Sequence, residues 1–397
     1  MPALALCVTA FTASCAAGHG RVSLLEALRT RRSGLTENDF TLAPLATWIG
    51  RVRPLESSPL PPGLANFECR NNRLAWHGLQ ADDFAGAVAA ARERYGAARV
   101  ALVLGTSTSS IGATEEAYRR LTPDGRYPPE LQLPLVHTIH SLGYFIQEAL
   151  QLRGVCVTVA TACSSSAKVF AQAERLLRLG IADAAVVGGV DSLCQSVLFG
   201  FNALELLSPF PCQPFDAARR GISVGEAAGF ALLERDGRGP WLLGYGESSD
   251  AYHMSTPRPD GASARRAIKD ALQRGAVTAA DIDYINLHGT ASHKNDDVEA
   301  RIVAELFPAR TRASSTKGFT GHTLGAAGIL EAVLSLLALQ NGLVPGTLQS
   351  TELDAVCGPQ IQLENSDGDL RHVLSHSFGF GGSNCVLLFG RERRPSA

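Results

Sequence analysis

Three side chains in this sequence combine reactive chemistry with a setting in which it can be used: Cys163, His288 and His322. Cys163 stands where a buried, strand-like run, VCVTVATA, gives way to three serines and a helix-forming stretch. Unpaired amides and the positive end of a helix dipole at that place predict a lowered thiol pKa and a nucleophilic thiolate. Taken alone, a cysteine at a strand-to-helix junction is more often a packing residue. The histidines alter that balance. His288 follows YINL in the tract HGT, and His322 lies in GHT, each among glycine and threonine rather than the larger side chains that enclose a structural imidazole. Small neighbours leave room for a ligand. The other eight histidines lack this setting: His137 and His140 fall on a helical pattern, and His293, His372 and His376 read as solvated or supporting groups.

Supporting groups can be sought near these three. Lys317 precedes His322 by five positions and Glu299 follows His288 by eleven. A buried lysine needs a carboxylate, so a Lys317–Glu299 pair would orient the site rather than react; two independent surface charges fit the spacing equally well. The tract FGFGGSN, Phe378 to Asn384, places Gly379, Gly381 and Gly382 around Phe380, which permits positive φ and brings backbone amides up to a ligand. A bare turn between strands has the same composition. Gly221-Ile222-Ser223-Val224-Gly225 matches the nucleophile elbow of serine hydrolases, but that elbow requires a buried strand before it. Here the polar QPFDAARR comes before and the strand-like AAGFALLE after, so the hydrolase reading fails. No P-loop, HExxH or GxGxxG with a following acidic residue is present, so nucleotide and metal catalysis have no support and no cofactor is expected.

Composition bounds what must position these groups. In 397 residues, 45% are hydrophobic and 19% charged, the latter below the globular average of about 25%, so much of the chain is interior or interface and disorder is excluded. A net charge of −2 without like-charge runs proposes neither nucleic acid nor an anionic membrane as partner. Nine cysteines without a single C-x-x-C exclude zinc-ribbon and thioredoxin readings and fit a reducing cytoplasm. The apolar N-terminus, with small residues around Cys15, has no Lys or Arg before Arg21 and reads as a first strand over Leu4–Thr9 rather than an export signal. No apolar run reaches the length of about 18 residues that a membrane span needs.

Strand-length apolar bursts alternate with helical patterns through ALALCVTA, VSLLEALRT, RVALVLGT, VHTIHSLGYFIQEALQL, VCVTVATA, SAKVFAQAERLLRLG and DAAVVGGV. This β-α rhythm with near-continuous Val/Ala/Leu strands predicts an α/β fold whose sheets are covered on both faces. The second half repeats the first in outline. TVATACSSSAKVFAQAERLLRLG and STKGFTGHTLGAAGILEAVLSLLALQNG each carry a short β-prone run, then a small-residue tract with one reactive side chain, then a long helix. A duplicated unit follows, with its boundary in the charged, Gly- and Pro-containing ERDGRGP, dividing 1–238 from 239–397.

In order along the chain, TVATACSSS, NLHGTAS, TKGFTGHTLGAAG and SFGFGGSN together resemble the elongating β-ketoacyl-acyl carrier protein synthases. The likeness extends over nearly the whole chain, including PFDAARRGISVGEAAGFALLE and FNALELLSP. It implies a thiolase-like fold, two similar α/β halves in a five-layered αβαβα arrangement, and a dimer. It also implies decarboxylative condensation of an acyl chain with malonyl-acyl carrier protein in fatty acid-type elongation, carried out in the cytoplasm. A divergent polyene or polyketide ketosynthase is the alternative. A third reading, the chain-length partner of a heterodimeric synthase, sits poorly with the retained Cys163. Residue by residue, the resemblance makes Cys163 the acyl-accepting nucleophile and His288 and His322 the pair that promotes decarboxylation. It gives Lys317 and Glu299 the role of a supporting ion pair, the amides of Cys163 and Phe380 that of an oxyanion site, Phe380 that of a gate, and Phe378 and Gly381 places in the same turn. Three departures stand out: Gln213 before Pro-Phe-Asp, Ala-Ser-His-Lys-Asn after His288-Gly289-Thr290, and Ser383 for a frequent threonine.

Overall fold

The computed structural model describes residues 3–393. Its apolar bursts form one large sheet, and ten strands follow a single path across it. In chain order they are β1 Leu6–Cys15, β2 Val100–Gly105, β3 Cys156–Val159, β4 Ala184–Asp191, β5 Ala227–Glu234, β6 Trp241–Ser249, β7 Tyr284–Asn286, β8 Arg312–Ser314, β9 His372–Gly379 and β10 Ser383–Gly390. Their spatial order is β8-β7-β9-β10-β6-β1-β5-β4-β2-β3. Read outward from the centre, β1-β5-β4-β2-β3 and β6-β10-β9-β7-β8 have the same pairing pattern, antiparallel twice and then parallel twice. The duplication expected from the sequence is therefore present in the topology. The two sets meet through a short antiparallel contact, Leu6 opposite Leu242 and Cys7 opposite Trp241.

Seven helices matter for the layers: α1 Arg70–Leu79, α2 Phe84–Tyr95, α3 Ser141–Ala149, α4 Ser165–Arg178, α5 Ala262–Arg274, α6 His293–Leu306 and α7 Ala327–Asn341. The largest apolar cluster joins α4 and α7 to the inner faces of both strand sets, among them Phe170 and Ala171 of α4, Ile329 and Val333 of α7, Phe11 of β1 and Phe389 of β10. A second cluster packs α1, α2 and α3 on the outer face of the first set, and a third packs α5 and α6 on the outer face of the second. This is the five-layered αβαβα order. The central helices approach closely because Gly328 of α7 lies over Ala167 of α4, where a Cβ would come within 2.4 Å of the Ala167 nitrogen. Ser166 Oγ accepts a hydrogen bond from the Ile329 amide across the same contact, at 2.9 Å.

Three local expectations change. The first strand begins at Leu6 and continues to Cys15, because β5 pairs it along one edge from Cys7 to Cys15 and most of its residues are buried. The helical pattern around residues 136–152 is realised only from Ser141; His137 and His140 lie in the preceding turn, where His137 Nδ1 meets Thr114 and His140 Nδ1 meets Thr158 rather than capping the helix. One stretch, Leu324–Asn341, does have 18 residues with a mean hydropathy of 1.5, enough to cross a membrane, but 89% of it is buried as the central helix of the fold.

Candidate active site

The site is assembled at matching places in the two halves. After β3, Ala162 adopts φ 51° and turns the chain so that Cys163 stands two residues before α4. A left-handed non-glycine residue costs about 1–3 kcal/mol, and here the turn is held by the Thr161 amide donating to Ser165 Oγ at 2.9 Å. In the other half His322 lies between β8 and α7. Its amide donates to Ser223 O at 2.7 Å and its carbonyl accepts from the Gly225 amide at 2.9 Å. His288 comes two residues past the end of β7.

These turns bring the three reactive groups together. His322 Nε2 is 3.1 Å from Cys163 Sγ, and the rings of His288 and His322 stand nearly perpendicular, 87°, with centroids 5.3 Å apart. One ligand atom from each of the three lies within 4.8 Å of the others, and among the described residues this is the one grouping close enough to hold a metal ion. All three line a cavity of about 450 Å³, with Phe378 and Phe380 on its wall, Phe201 and Leu204 beside them, and the exposed Arg220 and Lys294 also lining it.

Electrostatics set the resting protonation. Burial pushes the Cys163 thiol up to about 11, outweighing the Phe380 amide that points at the sulfur and the positive charge of Lys317. The lowered pKa expected from a helix start is therefore not found; desolvation is the larger effect. Burial also holds His288 and His322 well below the ordinary imidazole value, and Lys317 pushes both the same way. A neutral thiol thus faces two neutral imidazoles at neutral pH.

The backbone of His288 is clamped from both sides. Glu299, wholly buried on α6, accepts the His288 amide on Oε1 and the Gly289 amide on Oε2, each at 2.8 Å. Lys317 Nζ donates to the His288 carbonyl and to Glu331 of α7. The expected Lys317–Glu299 ion pair does not form. Glu299 is already taken by backbone amides, and Glu331 is the carboxylate within reach of the lysine. The turn after β9 completes the wall: Gly381 and Gly382 have φ 74° and 72°, which only glycine adopts without strain, and the Gly381 amide donates to Met254 O at 2.7 Å. The Phe380 ring stacks on Phe201 with centroids 5.6 Å apart.

Comparison with known proteins now bears on this geometry. Residues 75–238 match the model of the β-ketoacyl synthase N-terminal domain and residues 241–351 that of the β-ketoacyl synthase C-terminal domain. A 3-oxoacyl-[acyl-carrier-protein] synthase 2 of Rhizobium meliloti is 40% identical over 266 residues, 61% of this chain and 62% of that protein. Nodulation protein E of the same organism is 34% identical over 309 residues, covering 74% and 76%. The chain belongs to the β-ketoacyl synthase family. Among solved structures, a ketosynthase in complex with its chain length factor from Xenorhabdus doucetiae matches 98% of each chain with a TM-score of 0.91 at 34% identity.

In this chain the GISVG tract has a structural purpose. Ser223 is buried, its Oγ accepts the Cys212 amide at 3.0 Å, and its backbone forms the rail on which His322 hangs. One buried group, Glu331, escaped the sequence reading, and another, His376, was left between a solvated and a supporting place. Glu331 had a usable signal, a lone carboxylate in the apolar run AGILEAVLSLLALQ, which in a buried helix demands a cation. For His376 the sequence does not choose between those two places: its position under Glu299 depends on how β9 lies beside β7.

Proposed function

We propose that the chain is the catalytic ketosynthase subunit of an acyl-chain elongation system, joining a Cys163-bound acyl group to malonyl-acyl carrier protein. The carrying observation is the convergence of Cys163, His288 and His322 in one cavity. In the first half-reaction the Cys163 sulfur attacks the acyl thioester carbonyl while its proton passes to His322. The carrier thiolate leaves, takes that proton, and the acyl group remains on Cys163. In the second, the malonyl carboxylate departs as CO₂, and the electrons of the broken C–C bond form an enolate whose oxygen is hydrogen-bonded by His288 and His322. The enolate carbon attacks the Cys163 thioester. The amides of Cys163 and Phe380 hold the oxyanion, and collapse expels the Cys163 thiolate, which takes a proton from solvent, leaving a 3-oxoacyl carrier protein. A neutral imidazole serves both steps because it has one vacant nitrogen and one N–H: His322 Nε2 accepts the thiol proton in the first, and once the sulfur is acylated the ring takes the Nε2–H tautomer and donates in the second.

The likeness to a ketosynthase held by a chain length factor, over 98% of both chains, favours pairing with a related subunit. An available seam supports it: β3 is one of the sheet's two end strands, all four of its residues are partly exposed, and Ile139, Tyr144 and Val155 are exposed large apolar residues close to it in sequence. The long carrier-borne substrates and nine free cysteines fit work in the reducing cytoplasm. The test is to purify the chain alone and after co-expression with a related subunit of the chain-length-factor type, then supply acyl- and malonyl-acyl carrier protein. The proposal expects 3-oxoacyl product and light scattering near twice 42.0 kDa for the paired species. A monomer at micromolar concentration, or no product from either preparation, contradicts it.

A further inference from the structure

Beneath the reactive pair lies a third imidazole that the condensation chemistry leaves unused. His376 is fully buried on β9. Its neighbour Ser375 pairs with Asn286 of β7, so β9 runs beside the strand that leads into the His288 turn. Side chains alternate along a strand, which puts His376 and Phe378 on one face of β9; their rings are 5.2 Å apart, and Phe378 lines the cavity.

His376 Nδ1 is 3.0 Å from Glu299 Oε1, the same oxygen that accepts the His288 amide. The other oxygen, Oε2, accepts the Gly289 amide. Glu299 accepts on both oxygens, which gives it the acceptor role in this contact too and places the hydrogen on His376 Nδ1. Nε2 has no protein partner. Burying an unsatisfied ring nitrogen costs stability, and an apolar residue would pack in its place without that cost. The feature the ring contributes is therefore its Nδ1–H. Lys317 is engaged with Glu331 and the His288 carbonyl, which leaves His376 as the only side chain capable of carrying positive charge that bonds Glu299 among the described residues.

We propose that His376 is a positioning residue: through Glu299 it fixes the 288–289 turn and thereby the aim of the His288 ring at the reacting malonyl group. The proposal rests on the reading that His288 serves the malonyl half-reaction. Without the Nδ1–H, Glu299 is held on one side fewer, and the two amides it organises share a looser carboxylate. Acylation of Cys163 does not use that turn and is unaffected.

The experiment compares His376→Ala, His376→Asn and His376→Gln in the full chain with its partner subunit, measuring Cys163 acylation, condensation and thermal midpoint separately. Asn places an amide N–H where Nδ1–H stands; Gln places it a bond further out. Loss of a group that orients a metal ligand costs about 10- to 100-fold, and the same scale is taken for a group that orients an acting histidine. His376→Ala and His376→Gln are expected to lose that much condensation turnover, with KM for malonyl-acyl carrier protein and the acylation rate held within about threefold. His376→Asn is expected to recover most of the loss. The inference is overturned if Gln restores turnover as well as Asn, if Ala keeps parental turnover, or if acylation falls in step with condensation. Should the Ala variant not fold, the Asn and Gln pair alone decides. His288→Ala, run alongside, separates the two claims: normal condensation in that variant refutes the role of His288, whereas impaired His288→Ala with unimpaired His376→Ala and His376→Gln refutes only the role of His376.

Discussion

His322 Nε2 stands 3.1 Å from the sulfur of Cys163, and both groups are uncharged at rest. The pair is not the thiolate–imidazolium couple that a helix start suggests. The thiol is activated at the moment of attack, by handing its proton to a neighbouring nitrogen that burial and Lys317 keep vacant.

A first consequence concerns alkylation. With a thiol near 11, the thiolate fraction well below that value rises tenfold per pH unit. The rate of iodoacetamide labelling at Cys163 should climb on that slope from pH 7 to 9 without levelling. Peptide mapping should also show Cys163 labelled ahead of the other eight cysteines, because it alone among them lines the cavity. A plateau below pH 8 would mean a preformed thiolate.

The lysine beneath the imidazoles acts through its field. Lys317 and Glu331 are both buried, and removing one partner of such a pair costs about 3–5 kcal/mol, while replacing both with apolar residues of similar size is often neutral. Glu331→Ala should therefore lower urea stability by that amount, and Lys317→Met/Glu331→Leu should regain most of it. Loss of the positive charge favours the imidazolium forms, so the histidine pKa values rise and the acid limb of the condensation profile in the double variant moves to higher pH. An unmoved limb would show that Lys317 does not set the imidazole charge.

Phe380 bears on the order of events. Its ring stacks on Phe201 and its flanking glycines permit a swing, so Phe380→Ala should leave Cys163 acylation intact while raising malonyl decarboxylation relative to true condensation. An unchanged ratio, with one Phe380 position in crystals with and without an acyl chain, would make the residue packing alone.

Much of this was legible from residue types. Cys163, His288 and His322 announce themselves by sitting among small residues next to strand ends, and the duplicated strand–reactive residue–helix pattern foretells matching halves. What depended on packing was not legible. The choice of Glu331 over Glu299 for Lys317 is decided by α7 threading the centre of the molecule, and eleven residues of spacing carry no record of it. The thiol pKa went the other way because burial, which one sequence position does not report, exceeded the helix-start effect. The 18-residue apolar stretch over α7 was hidden by its glycines and its carboxylate.

The two half-reactions can be separated at the histidines. His288→Ala or His322→Ala should still permit an acyl group to reach Cys163, more slowly for His322→Ala, while condensation falls by about 10²-fold or more, the scale of losing one oxyanion donor. Full condensation in His322→Ala would remove that residue from the chemistry.

The most direct test of the whole account is peptide mass mapping after the purified protein meets acyl-acyl carrier protein, followed by malonyl-acyl carrier protein with CO₂ counted. The account predicts one acyl group on the Cys163 peptide, none in Cys163→Ala, and release of that group as 3-oxoacyl product with one CO₂ per acyl group consumed. An acyl group on any other residue, or product formation in Cys163→Ala, would contradict it.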